Sequence, residues 1–567
     1  MSHLFAAGLA LLLLAGCQQR ASEPAPQKTL LAFEDDAQLD AFIKDHPAPE
    51  TPAPAPASAT APGGALAAEH GRHLVLLRNA RLFTVEIGKD QLKPVAALDA
   101  FAPGAALSRY DEVVVWGDTV AVIGYSEPER STGINLFDID AGGRLAFRAG
   151  YLLRGGAPGM SAIGQADSKL VLYAPLSSHA ADAGPLAMLP ALRTGAAAFQ
   201  RIAPASRVYR LDAAVGGALA VHSVTVCDLA GRALRCDASA VLAPPARAVH
   251  MAPQAVYVWT APYAGEAGAG LVRIPVNGGA PGALRVAGAP RDGFSFHESD
   301  DAHLNVLVGA DGAAPAWRAQ GGADALALLR LPLQAFSDGS ERAAAVSYKD
   351  LPDLSSAGLH NRFIGPWLVY GGAAATADGR APLYALRWDG TGGLQRLQLA
   401  HPVERIAAMG ADAVVAGQAR SALHLSTIRL GLGAERQATL ASTHAHPNAR
   451  ETPAPVQLPQ YDAQRPGQGM LGLGIVESGQ AGDSEDAVTD AASVLYLRNT
   501  ALRLRELGAL KAQHNPPDDA AWYGNTRPLF VQGRMFALVG DELVEGKLKN
   551  GRLREARRIN YVSAVLR

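Results

Sequence analysis

The sequence predicts an all-β chain, a β-propeller of seven or eight four-stranded blades behind a lipoprotein signal and a flexible tether. Three observations carry this prediction. From about residue 71 the text becomes short β-branched runs punctuated by Gly, Pro and Asp, with no sustained helical periodicity. One hairpin unit, a strand, a Gly turn, an apolar strand and a closing Gly, recurs at 113–124, 363–371, 409–417 and 530–540. Units beginning near residues 361 and 404 set a spacing of roughly 40 residues, the length of a propeller blade.

The chain opens on an apolar run from Leu4 to Leu14 that is too short to span a bilayer and ends in Leu14-Ala15-Gly16-Cys17. Small residues directly before a cysteine describe a signal peptide over 1–16 and a lipid-accepting Cys17, although Met1-Ser2-His3 carries no basic residue. Acylation of the thiol and of the new amino terminus, palmitate among the chains, anchors far more firmly than a single acyl chain. Gln18 follows where this class of signal places Asp for inner-membrane retention, so the outer membrane is the expected address, on its periplasmic face or the cell surface. The membrane is thus one expected partner.

Residues 17–70 read as the lipidated tether, and 71–567 as the propeller. Asp35-Asp36 can cap a short helix whose Leu39, Phe42, Ile43 and His46 share a face, and Pro47 stops it. That helix is expected to dock on the body as a lid, the alternative being a partner-binding role. From Pro47 to Gly64 the Pro/Ala-rich text lacks apolar periodicity and reads as a polyproline-type spacer, with a reach of up to about 55 Å.

Composition narrows the function classes. Lys plus Arg total 51 against 53 Asp plus Glu, so no overall basic field exists to hold a phosphate backbone, and nucleic acid is excluded as an expected partner. No later stretch approaches the roughly 20 apolar residues of a membrane-spanning helix. With Cys17 committed to lipid, Cys227 and Cys236 remain. They lie on β-rich arms around a turn containing Gly231, and in an exported chain they are expected to form a disulfide rather than two inert thiols.

After the hairpins come two further strands each, as at 134–139 and 145–149, or at 383–388 and 394–399. Weaker units start near 163, 247, 297 and 470. The last unit, from Trp522, is expected to meet the strands Leu74–Arg78 and Leu82–Val85, because a ring must seal its ends. Two β-sandwich domains would explain the β content but not the hairpin echo.

With these residues in view, the chain resembles the proteobacterial secreted β-propeller domain lipoproteins. The likeness runs through Phe33-Glu34-Asp35-Asp36 with Leu39, Tyr110–Val115, Leu304–Val308, Trp522–Asn525 and Arg527-Pro528. It implies a propeller and an envelope address, and it transfers no catalytic residue. The acidic Val-Asp-Glu-Ala-Asp stretch that the broader family carries into its first blade is missing around 71–81.

Candidate chemistry is sparse. His297-Glu298-Ser299-Asp300-Asp301-Ala302-His303 could offer oxygens to Ca²⁺ or imidazoles to a transition metal, but it lacks the alternate spacing and bend Gly of a calcium loop. His444 and His446 could point the same way on an extended segment. No Gly-x-Ser-x-Gly elbow occurs, and turns such as Asp140-Ala-Gly-Gly143 lack the Thr and Trp of quinoprotein repeats. The hairpin Lys547–Arg554, with Arg557 and Arg558, presents a cationic face that could meet acidic lipid or instead guard an edge. The sequence therefore assigns no catalytic, cofactor or metal residue. It points to an envelope-anchored binding or assembly module with a protein partner, the alternative being a periplasmic propeller enzyme of quinoprotein-like or metal-dependent type. Cys17→Ala should move the mature protein from the membrane pellet to the soluble fraction; unchanged partitioning would remove the lipid anchor.

Overall fold

The computed structural model describes residues 28–565 apart from 47–56, 61–65, 89, 104–108, 157–161, 177–184, 212–218, 263–267, 312–316, 319–321, 355–357, 374–378, 432–436, 453–458, 478–490 and 514–524. Cys17 and the signal lie outside the described residues.

The described strands form nine antiparallel-cored sheets arranged as a β-propeller. Their ranges are blade 1 at 67–99, blade 2 at 109–201, blade 3 at 162–243, blade 4 at 246–286 and blade 5 at 289–351. Blades 6 to 9 follow at 359–399, 405–447, 449–511 and 527–560. The expectation of seven or eight blades is corrected to nine. The strands around Leu74 and Leu82 do meet the last unit, but they are the middle of a complete blade of their own, between Ala67–His70 and Lys93–Asp99. The inner strand of that blade, Ala-Ala-Glu-His, contains no β-branched residue and left no hairpin signal.

Side-chain alternation explains the ring. The second strand of blade 1, His73–Arg78, is buried at every position. Its Leu74 and Leu76 pack on Phe536 and Leu538 of blade 9, while Val75 and Leu77 pack on Val120 and Val122 of blade 2. The same division recurs around the molecule, so the apolar core is a series of clusters between consecutive blades rather than one central mass.

Among the described residues the ring closes without a shared strand. Blade 1 is built wholly from the N-terminal side and blade 9 wholly from the C-terminal side. The seam is instead packed and pinned. Arg78 donates to Asp541 at 2.9 Å, and Gln532 donates to the Gly71 carbonyl at 2.6 Å. Arg534 reaches the Gln91 carbonyl at 3.0 Å, and Lys547 pairs with Asp90 at 2.8 Å. After the last strand, the helix Tyr561–Val565 crosses toward blade 1, burying the Tyr561 ring edge-on to Phe83 at 5.2 Å. Its hydroxyl donates to the Gly540 carbonyl at 3.1 Å.

Several outer edges are covered by chain borrowed from a neighbour. Ala191–Thr194 follows the first two strands of blade 3 yet pairs with Leu145–Arg154 of blade 2. Val208–Arg210 then adds in parallel to Arg235–Ala243 of blade 3, and Leu31–Ala32 pairs beyond it. Asp338–Arg342, within the span of blade 5, adds in parallel to blade 4. Covered edges cannot template aggregation.

The N-terminal helix spans Asp36–Asp45, with the Asp35 carboxylate accepting from the Gln38 amide at 2.8 Å. It buries Leu39 and Ile43 in the cluster shared by blades 3 and 4. Tyr561→Ala should lower the unfolding free energy by about 3–5 kcal/mol, and Tyr561→Phe by about 1 kcal/mol, as read from urea denaturation midpoints. Equal midpoints for Tyr561→Ala and the parent would show that the seam does not depend on the C-terminal helix.

Candidate binding site in the central channel

The first strand of each blade is taken as the inner one because it is the more buried: Leu359–Ile364 is better covered than Gln395–Leu399, and Arg405–Met409 than Ala438–Pro447. Their number sets the circumference, so nine blades leave a wider axial channel than seven would. Two features fill part of that width beside blade 4. The inner strand of blade 5 is interrupted after Ala289–Pro290 by a 3₁₀ turn, Gly293–Ser295, which packs against the inner strands of blades 4 and 6. The segment Ala57–Thr60 pairs in parallel with the inner strand of blade 4, Ala248 opposite Ala57 and His250 opposite Thr60.

Around this turn the inner strands bring a polar group together. Asp292 caps the turn, its carboxylate accepting from the Phe294 amide at 2.9 Å, and burial raises its pKa. Arg362 of blade 6 lies over the Phe294 ring at 4.2 Å. Asn361 donates to Ser295 Oγ at 3.1 Å. His250 bonds through Nδ1 to the Gly293 carbonyl at 3.0 Å and stacks on Phe296 at 5.3 Å. Burial lowers the His250 pKa to about 4, and burial followed by the charges of Arg291 and Arg405 lowers that of His360 to about 4. Arg405 in turn pairs with the half-buried Glu451 at 2.7 Å.

Two atoms in this group are buried without a hydrogen-bond partner, Arg362 Nη1 and Asn361 Oδ1. A buried donor and a buried acceptor are thus left unsatisfied on one strand, which is uncommon in a settled core. None of these residues was assigned from the sequence. The available signal was the trio His360-Asn361-Arg362 inside an otherwise apolar run, at a strand position where the equivalent Ile406-Ala407 of blade 7 is apolar.

Of the candidates read from the sequence, His297 borders this group, following Phe296 on the same strand and stacking on Phe363 beside Arg362, and the others lie elsewhere. Cys227 and Cys236 are directly opposite across a hairpin of blade 3 and are joined by a disulfide. Residues 297–303 form the end of one strand, a turn and the start of the next. There Glu298 accepts from Tyr257 at 2.5 Å, Asp301 pairs with Arg330, and the His297 ring stacks on Phe363 at 5.2 Å. His444 and His446 lie on the outer strand of blade 7, and His446 sits between Glu506 at 3.0 Å and Glu477 at 3.7 Å. These carboxylates, Glu477 foremost, raise its pKa. Among the described residues no three His, Cys, Asp or Glu side chains converge as a metal set. In the basic hairpin, Lys547, Arg557 and Arg558 are held by Asp90, Glu545 and Glu542, and Lys547, Lys549, Arg552 and Arg554 are exposed.

No protein-family model matches the chain, and no curated protein matches it. Solved structures with similar chain courses include Citrobacter koseri AztD, 9% identical, with a TM-score of 0.32 over 85% of this chain and 91% of that one. Kluyveromyces lactis Hsv2 is 9% identical, with a TM-score of 0.29 over 60% and 95%. A prolyl endopeptidase is 12% identical, with a TM-score of 0.31 over 72% of this chain and 55% of that one. The propeller assignment rests on the nine sheets themselves.

The low pKa values of His250 and His360 give a pH dependence with a definite sign. Unfolded imidazoles bind protons near 6.5, whereas these two resist protonation until about 4. Between those values the unfolded chain holds more protons, so this contribution lowers stability as pH falls through the window. His360→Leu should therefore show a shallower loss of denaturation midpoint from pH 6.5 to 4 than the parent, and parallel curves would contradict the assignment.

Proposed function

We propose that the protein is a lipid-anchored envelope module that binds a partner protein by receiving an extended segment of it in the central channel. The observation that carries this reading is the parallel pairing of Ala57–Thr60 with the inner strand of blade 4. An exposed inner edge that accepts one strand offers main-chain hydrogen bonds to any extended segment, and nearby side chains then select among sequences. Here the selecting groups are Arg362, Asn361 and His360, two of which hold open hydrogen-bonding atoms.

The internal segment competes with an incoming one. Being covalently attached, it has a high effective concentration at the edge, so a partner must make additional contacts to displace it. The signal read at 1–17 supports placing the body in the envelope, where such a partner would be met.

A photo-crosslinking residue in place of Phe294, in cells, should trap a reproducible partner. Deleting 57–60 should increase that adduct severalfold by freeing the edge, and Arg362→Glu should reduce it. An adduct indifferent to both changes, or none at all, would count against the channel as the docking site.

A further inference from the structure

A second site is built into the cleft between blades 3 and 4, where a cavity of about 1020 Å³ opens beside the disulfide hairpin. Strand alternation explains why the cleft is hollow there. Along the face of blade 3 that meets blade 4, Val171 and Val224 belong to the packed core, but the positions that continue this face are Lys169, Asp228, Arg235, Asp237 and Ser239. Polar side chains replace apolar filling here, as they do at a smaller cavity of about 380 Å³ between blades 8 and 9. The far wall is the turn Val276–Gly278 of blade 4, and the Cys227–Cys236 bond holds the hairpin whose tip, Gly231–Ala233, forms one side.

The cavity is cationic. Four basic side chains line it against two carboxylates, and one of those, Asp228, is engaged by Lys169 at 2.6 Å. Arg207 is the anchored member. It ends the 3₁₀ turn Ala205–Arg207, and its Nε and Nη2 donate to the Ser239 hydroxyl at 3.2 and 2.8 Å. It also presses on Gly278, where a Cβ would come within 2.8 Å of Nη2, so the opposing turn is shaped to admit the guanidinium.

Arg207 is partly buried, and its hydrogen bonds go to a neutral hydroxyl. Several partly buried arginines here meet carboxylates, Arg405 with Glu451, Arg534 with Glu545 and Arg387 with Asp389, whereas Arg207, like Arg154, bonds only neutral oxygens. Withdrawing a cation from water without a counter-charge is unfavourable, and an anion from outside would relieve it. We propose that this cavity binds a small polyanion, a molecule bearing carboxylate or phosphate groups, with Arg207 receiving one anionic group and Arg235 a second. The volume fits a small-molecule ligand, and the site is independent of the channel.

Calorimetric titration of the purified chain with citrate and, separately, with pyrophosphate tests the proposal. At least one probe should bind, weaken with added salt, and lose about tenfold or more in affinity in Arg207→Gln, the scale of a charged hydrogen bond. Arg207→Lys, which keeps the charge, should retain part of the affinity and guards against misfolding as the cause. Arg387→Gln, outside the cavity, should bind like the parent. Citrate alone would assign a carboxylate ligand, and pyrophosphate alone a phosphate one. Binding of neither probe, or equal binding in Arg207→Gln, would overturn the site.

Discussion

The seam between blades 9 and 1 is the constraint on which the ring depends. Each blade is apolar on both faces, so eight satisfied interfaces would still leave two open faces if the ninth failed. Many propellers seal this joint by pairing a strand from one terminus into the blade of the other. Here the two terminal blades are each complete, and the joint is held by the packing of Leu74, Phe83, Phe536 and Tyr561 with hydrogen bonds from Arg78, Gln532 and Arg534. Side-chain packing must therefore supply what backbone pairing would otherwise give. The buried rings of Phe83, Phe536 and Tyr561 and the guanidinium groups of Arg78 and Arg534 fit that demand.

Elsewhere the ring is reinforced laterally. The segment between the second and third core strands of blade 3 first covers the edge of blade 2 and then returns to cover blade 3 itself. One stretch of chain thus ties two consecutive blades at their rims. Blade 5 does the same for blade 4 through Asp338–Arg342. These crossings make neighbouring blades depend on each other's chain as well as on their shared apolar cleft. They also break the simple order of four strands per unit.

That departure explains how far the sequence could be read. The hairpins at 113–124, 363–371 and 409–417 were legible because an inner strand, a Gly turn and an apolar second strand follow in register. Blade 1 was hidden by its alanine-rich inner strand. In blade 8 the unit placed near 470 is the second strand, the inner edge being split between Ala449–Glu451 and Gln460–Arg465. The disulfide was legible from a short, turn-centred spacing. The channel group was not, since Asp292, Phe294, His250 and Arg362 come from three blades and meet only through ring geometry. Arg207 was invisible for a related reason: its role follows from a blade interface that is hollow, and sequence patterning reports filled positions better than empty ones.

The docked N-terminal segment has a mechanical consequence. Leu31–Ala32 is paired on the rim of blade 3, and the helix after it is buried against the same region, so the chain is fixed to the ring from Lys28 onward. The Pro/Ala stretch beyond residue 46 therefore lies after the attachment point and adds nothing to the distance between the N-terminal end and the ring. On the proposed anchor at Cys17, eleven steps would separate the lipid from Lys28, and eleven steps span at most about 36–40 Å. Tension on the N-terminal end would be borne first by the rim of one blade rather than along the axis. A disc loaded at one point on its edge hangs from that edge, which would orient the channel across the direction of pull.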